Sequence, residues 1–146
     1  MMPADLAGRL IGFGHVLHQR VYFEDTDFSG LIYHARYLHF LERGRSDWLR
    51  LLGVHHRELA AEGLAFAVRR MEIDFLRPAR IDDVLAIETR SGGSGGARVA
   101  LRQSIRRDDG LLVEALVTVA LLGPEGRPRR LPPHVRAAFE AVPRDP

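Results

Sequence analysis

Between His34 and Leu52 the chain has no proline and a single interior glycine, and Tyr37, Leu38, Leu41, Gly44, Trp48, Leu49 and Leu52 return at intervals of three and four. That spacing predicts an amphipathic helix, and Gly53 supplies a carboxyl-terminal stop. No other stretch of comparable length has this pattern. The remaining segments read as strands: Val16–Phe23 before the helix, then Leu64–Leu76, Val84–Arg90, Ala97–Arg107 and Leu111–Leu122 after it, each alternating or β-branched. Short helices fit His55–Glu62 and Pro133–Ala141, the latter opening on a proline suited to a first helical turn.

One long helix cannot cover both faces of a sheet, so the order strand, helix, four strands predicts a curved antiparallel sheet wrapped around the helix. The expected class is α+β, in the hotdog arrangement, with five strands. Asp108-Asp109-Gly110 reads as a hairpin, Ser91–Gly96 as a glycine-rich hairpin tip, and Arg77-Pro78 through Asp83 as a bend. Phe66 and Val68 differ in parity from Met71, Ile73 and Phe75, and a one-residue bulge at Arg69-Arg70 would return all five to a common face. No repeat or charge block divides the chain, so residues 1–146 are read as one domain with an ordered core of about 14–141 and loose ends.

Length and composition narrow the chemistry. At 146 residues and 46% hydrophobic the chain can bury a core without a staple, but it falls well short of the ~250 residues of a (β/α)₈ barrel. It contains no cysteine, which excludes disulfides, a thiolate nucleophile and cysteine-held metal clusters. All 21 basic residues are arginine, so a lysine Schiff base is excluded as well. The net charge is only +2, and the arginine pairs 69–70, 106–107 and 129–130 have no interleaved aromatic residues, so no nucleic-acid partner is expected. The amino-terminal stretch has no signal-peptide pattern and no apolar run reaches a membrane span, which predicts a cytoplasmic protein without membrane insertion.

Two apparent motifs fall away. Gly92-Gly93-Ser94-Gly95-Gly96 matches a nucleophile elbow literally, but that elbow needs a strand-to-helix turn in a larger α/β sheet, and this serine lies between two expected strands. The seven histidines show no metal-ligand spacing; His34 and His39 diverge on a helix and His55-His56 are adjacent, so no metal is expected. What stands out is the loop before the helix, with Glu24, Asp25 and Asp27. Acidic residues there suit a helix amino terminus. Asp27, however, precedes the helical pattern by Phe28-Ser29-Gly30-Leu31-Ile32-Tyr33, too far for a first-turn cap, and is left free to face the helix end.

The run Tyr22-Phe23-Glu24-Asp25-Thr26-Asp27-Phe28-Ser29-Gly30-Leu31-Ile32-Tyr33-His34-Ala35-Arg36-Tyr37 closely resembles the signature of the 4-hydroxybenzoyl-CoA thioesterase family. Within that family it is most similar to the branch of Tol-Pal-system-associated acyl-CoA thioesterases. The likeness continues through Phe40–Arg45, Phe66–Met71 and Pro78–Asp83 and fades after about Phe139. The resemblance implies a hotdog fold, hydrolysis of acyl-CoA to free acid and CoA, and a homodimer or homotetramer with active sites at subunit interfaces. It also suggests a functional link to the Tol-Pal envelope system.

By position, the resemblance places the catalytic aspartate on Asp27 and the oxyanion-binding backbone N–H at or next to His34. Gly30, Tyr33 and Tyr37 of the same run are the expected substrate-binding residues. No cofactor is implied beyond coenzyme A as part of the substrate. Attack on a thioester builds negative charge on the carbonyl oxygen, which a helix amino terminus is suited to receive. The carboxylate can attack the carbonyl or deprotonate a water, and the His34 side chain can orient substrate or simply pack. Where relatives often carry a second tyrosine this chain has Phe23, and the Ser91–Gly96 tip lacks the basic residues that some relatives offer to CoA phosphates. Arg77, Arg80 and Arg98 are candidates only for that role. Rival expectations are a thioesterase acting on acyl carrier protein, a hydratase, and a non-catalytic acyl-CoA-binding or envelope-complex scaffold.

Overall fold

The computed structural model describes residues 7–143. Its dominant helix, α1, spans His34–Leu51, within one residue of the stretch expected from spacing. Around it curves one antiparallel sheet built from β1 (Arg9–Ile11), β2 (Gly14–Arg20), β3 (Ala65–Phe75), β4 (Val84–Gly95), β5 (Arg98–Arg107) and β6 (Gly110–Leu122), in the order β1-β2-β4-β5-β6-β3. Two short helices complete the chain, α2 (His56–Ala61) and α3 (Pro133–Glu140). This is the expected hotdog arrangement with one more strand than expected.

The sixth strand is β1, which lies in the segment read as a loose end. It pairs Arg9 with Val16, Leu10 with His15 and Ile11 with Gly14. Three residues between glycines are too few to show a period, so the pairing depends on contacts distant in sequence. Asp47 on α1 supplies them: its Oδ2 accepts the Gly8 backbone N–H at 2.7 Å and lies 2.7 Å from Nε2 of the buried His15. Two other boundaries moved. β2 stops at Arg20, because the Asp25 carboxylate takes the Tyr22 N–H and folds Phe23–Asp25 into a 3₁₀ turn. β4 runs on to Gly95 through the glycine-rich stretch, with an irregularity in its pairing to β5 between Ser91 and Ser94. The bulge expected in β3 is present, as its pairing with β6 shifts between Val68 and Arg70.

α1 presses on β2, β4 and β5. Phe40, Leu41 and Trp48 are fully buried from the helix side, against Leu85, Ile87 and Ile105 from the sheet. Gly44 makes the close approach possible, because a Cβ there would stand 2.8 Å from Ile87 Cγ2. Under the helix, the buried Gln103 donates from Nε2 to the Leu41 carbonyl and to Thr89 Oγ1, both at 2.9 Å, and its Oε1 accepts from Arg45 Nη1 at 3.0 Å. Among the described residues, no helix is long and apolar enough to cross a membrane.

Candidate active site

The loop between β2 and α1 sorts its carboxylates by role. Asp25 is buried: Oδ2 accepts the Tyr22 N–H at 2.8 Å, Oδ1 accepts from Arg36 Nε at 2.7 Å, and its carbonyl accepts the Tyr33 N–H at 3.1 Å. It therefore clamps both ends of the loop to the first turn of α1. Glu24 is exposed and only reaches the same Arg36, at 3.8 Å. This division was not visible in the sequence, which shows three acids with nothing to rank them; an arginine eleven residues after Asp25 was the available signal.

Asp27 is exposed and differently engaged. Its backbone N–H donates to the Leu31 carbonyl at 2.9 Å and its carbonyl accepts the Gly30 N–H at 3.1 Å, so the chain doubles back on itself. Thr26 then faces Ile32 in an antiparallel bridge, and the Ile32 N–H is held by the Ala79 carbonyl at 3.0 Å. Gly30 makes this turn at φ +79°, the left-handed region that suits glycine; a Cβ there would meet nothing, so its requirement is conformational. The side chain is tethered through one oxygen: Oδ1 accepts the Ser29 N–H at 2.8 Å and the Ser29 hydroxyl at 2.5 Å. Those bonds, the hydroxyl's first, hold the Asp27 carboxyl below the ordinary carboxylate range, so it is ionised at neutral pH. The backbone N–H groups of Asp27 and Leu31 add smaller contributions in the same direction.

The loop that carries this carboxylate runs directly into α1. Tyr33 stands at the N-cap position without a side-chain cap, and the first turn contains no acid. The first N–H groups of a helix have no partner inside it, and here no side chain caps them. The exposed His34 ring packs 4.7 Å from the Tyr33 ring and 6.3 Å from the Phe75 ring, centroid to centroid. Tyr33 is half exposed. Tyr37 lies a layer below, buried, with its hydroxyl accepting the Ala79 N–H at 3.0 Å and burial pushing its pKa up. Tyr33 and His34 thus stack at the start of α1, Asp27 and Gly30 lie in the turn before it, and Tyr37 braces α1 to the segment before β4. Phe23 and Phe28, in the same loop, are both strongly exposed.

A family model described as the thioesterase-like superfamily matches residues 21–139, which spans the loop, α1 and the whole of β3 to β6. The chain belongs to the thioesterase-like superfamily. Among relatives in this superfamily, a Haemophilus influenzae protein named acyl-CoA thioesterase YbgC is 43% identical over 123 residues, covering 82% of this chain and 90% of that one. The crystal structure of a probable thioesterase from Bartonella henselae is 50% identical with a TM-score of 0.78, covering 82% of this chain and 99% of that one. An Arabidopsis thaliana protein named acyl-acyl carrier protein thioesterase ATL2, chloroplastic, is 29% identical over 131 residues, covering 88% of this chain and 70% of that one.

Proposed function

We propose that this thioesterase-like chain hydrolyses acyl-CoA, with Asp27 as the attacking carboxylate and the first N–H groups of α1, at and beside His34, receiving the charge that develops on the carbonyl oxygen. The observation that carries this reading is the one-sided tether of Asp27. Ser29 binds Oδ1 and keeps the group ionised, in the loop that leads into an uncapped helix end. An ionised carboxylate can attack the carbonyl without first losing a proton. Oδ2 then forms a bond to the thioester carbonyl carbon, the carbon–sulfur bond breaks, and CoA leaves as thiolate and is protonated by solvent. Water cleaves the resulting acyl–Asp27 anhydride to the free acid and restores the carboxylate. Gly30 and Tyr33 border the mouth that admits the substrate, and Tyr37 positions α1 beneath it.

The sheet ends at β3, whose second edge meets no strand among the described residues. Val68 and Phe75 on that strand are each 46% exposed. Such an edge invites a second copy, so the functional unit is a homo-oligomer built on β3, and sedimentation should show at least a dimer. The reading is tested by following thiol release from a panel of acyl-CoA thioesters. Turnover supports it, and acyl-CoA binding without turnover would favour the binding-protein alternative. The name of the Arabidopsis relative supports a second reading of the carrier; offering one acyl group on CoA and on acyl carrier protein separates the two.

A further inference from the structure

One short segment, residues 79–83 at the entrance to β4, grips the Asp27 loop at both ends. Before the loop, the Val21 N–H donates to the Asp83 carbonyl and the Val21 carbonyl accepts the Asp82 N–H, each at 2.9 Å. After it, Leu31 faces Arg80 in an antiparallel bridge, and the Ile32 N–H donates to the Ala79 carbonyl at 3.0 Å. The Ala79 N–H in turn donates to the Tyr37 hydroxyl on α1. Leu31 passes this placement on directly, because its carbonyl accepts the Asp27 N–H at 2.9 Å. Residues 79–83 therefore act as a strap across the entry and exit of the loop.

The strap is poorly held by its own residues. Ala79 is buried, but Arg80, Ile81 and Asp82 are exposed, and Asp82 sits at φ +70°, a left-handed conformation that a side chain disfavours. Its outside support is Arg107, at the end of β5. Nη1 donates to Asp83 Oδ2 at 2.8 Å and to the Pro78 carbonyl at 3.4 Å, so one nitrogen reaches both ends of the strap. Nε and Nη2 donate to the two carboxylate oxygens of Asp109 at 2.7 and 3.0 Å. Asp109, in the turn between β5 and β6, also accepts from Arg77 Nη2. The hydrogen bond from Arg107, and after it that from Arg77, hold the Asp109 carboxyl down to about 2. Partly exposed ion pairs of this kind add little stability. A planar guanidinium bonded through all three nitrogens does fix a position, which a flexible ammonium would not.

Resting on the reading of Asp27 given above, we propose that Arg107 is a positioning residue for the hydrolysis: held by Asp109, it fixes the strap through Asp83 and Pro78, and the strap fixes the Asp27 turn against the start of α1. Arg107 touches neither the substrate nor the reacting atoms. Its removal lets the strap shift and carries Leu31 with it, so the carboxylate loses its alignment with the thioester carbonyl. A displacement of about 1 Å at a reacting group costs on the order of 10²-fold in rate.

The test compares wild type with Arg107→Gln on an acyl-CoA that the wild type hydrolyses, at a temperature where circular dichroism shows both proteins folded. The variant's kcat should fall about 10- to 100-fold, with KM held within about threefold. Its acid limb should move up towards the ordinary carboxylate range, because the Leu31 N–H helps to hold the Asp27 carboxyl down. An unchanged kcat would overturn the proposal. So would a raised KM at constant kcat, which would make Arg107 a substrate ligand, or a lowered kcat with an unmoved acid limb, which would make it a residue of stability alone. Should Arg107→Gln fail to fold, Asp109→Asn at the exposed turn loosens the same guanidinium; kcat should fall about threefold to tenfold with the same upward move of the limb, and wild-type kcat there would overturn the proposal. Failure of the underlying reading looks different: either the wild type hydrolyses no acyl-CoA, or Asp27→Asn is as active as wild type, and both results would overturn the role of Arg107 as well.

Discussion

Asp25→Asn separates the carboxylate that holds the loop from the one proposed to do the chemistry. The substitution keeps size and one acceptor oxygen, but puts an NH₂ donor where either the Tyr22 N–H or Arg36 Nε now donates. One charge-assisted hydrogen bond is lost and the Arg36 guanidinium is left facing a neutral amide. Breaking a buried ion pair costs ~3–5 kcal/mol. Here Asp25 is 3% exposed but Arg36 is 27% exposed, and Glu24 stands 3.8 Å from the same guanidinium and can take over part of the role. Solvent and Glu24 together bring the expected loss to about 2–3 kcal/mol. For a domain of this size each kcal/mol lowers Tm by about 2–4 °C, so a drop of roughly 5–10 °C is expected in a thermal melt. Thioesterase activity should fall with it, because the same carboxylate fixes the first turn of α1. A melt within 2 °C of wild type would refute the clamp, and with it the claim that the two aspartates have different roles.

Two further outcomes follow from named contacts. Ser29→Ala removes the hydroxyl that most lowers the Asp27 pKa; the acid limb of wild-type kcat/KM should lie below the ordinary carboxylate range, and the variant's limb should move up towards that range. An unmoved limb would show that Asp27 does not control the profile. Gly44→Leu drives a side chain into Ile87 Cγ2 and Thr89 Oγ1, 2.8 and 3.2 Å from the first added carbon; urea unfolding should show a loss of about 1–3 kcal/mol, and a gain in stability would mean that α1 does not sit as close to β4 as described.

The sequence carried the helix and its partner strands well, because an eighteen-residue amphipathic period and long alternating runs are local signals. The bulge at Arg69 was legible for the same reason, as a break in parity between Val68 and Met71. What escaped were features decided by distant partners. β1 depends on Asp47, and the extension of β4 through Ser91–Gly95 depends on β5 across the hairpin, while glycines alone read as a turn. At the site, spacing singled out Asp27 as too far from α1 to be a cap. It could not show that Ser29 would tether one oxygen, that Asp25 would be buried against Arg36, or that the Tyr37 hydroxyl would be occupied by Ala79.

The central claim is that the Asp27 carboxylate performs the chemistry, and Asp27→Asn tests it most directly. The amide keeps the shape and an acceptor for Ser29 but has neither the charge nor the nucleophilicity of the carboxylate. Asp27 is exposed, so the variant should melt at the wild-type temperature while kcat for acyl-CoA hydrolysis falls by about 10²–10⁴-fold. Activity within a few-fold of wild type at an unchanged Tm would contradict the account and leave Asp27 a loop residue.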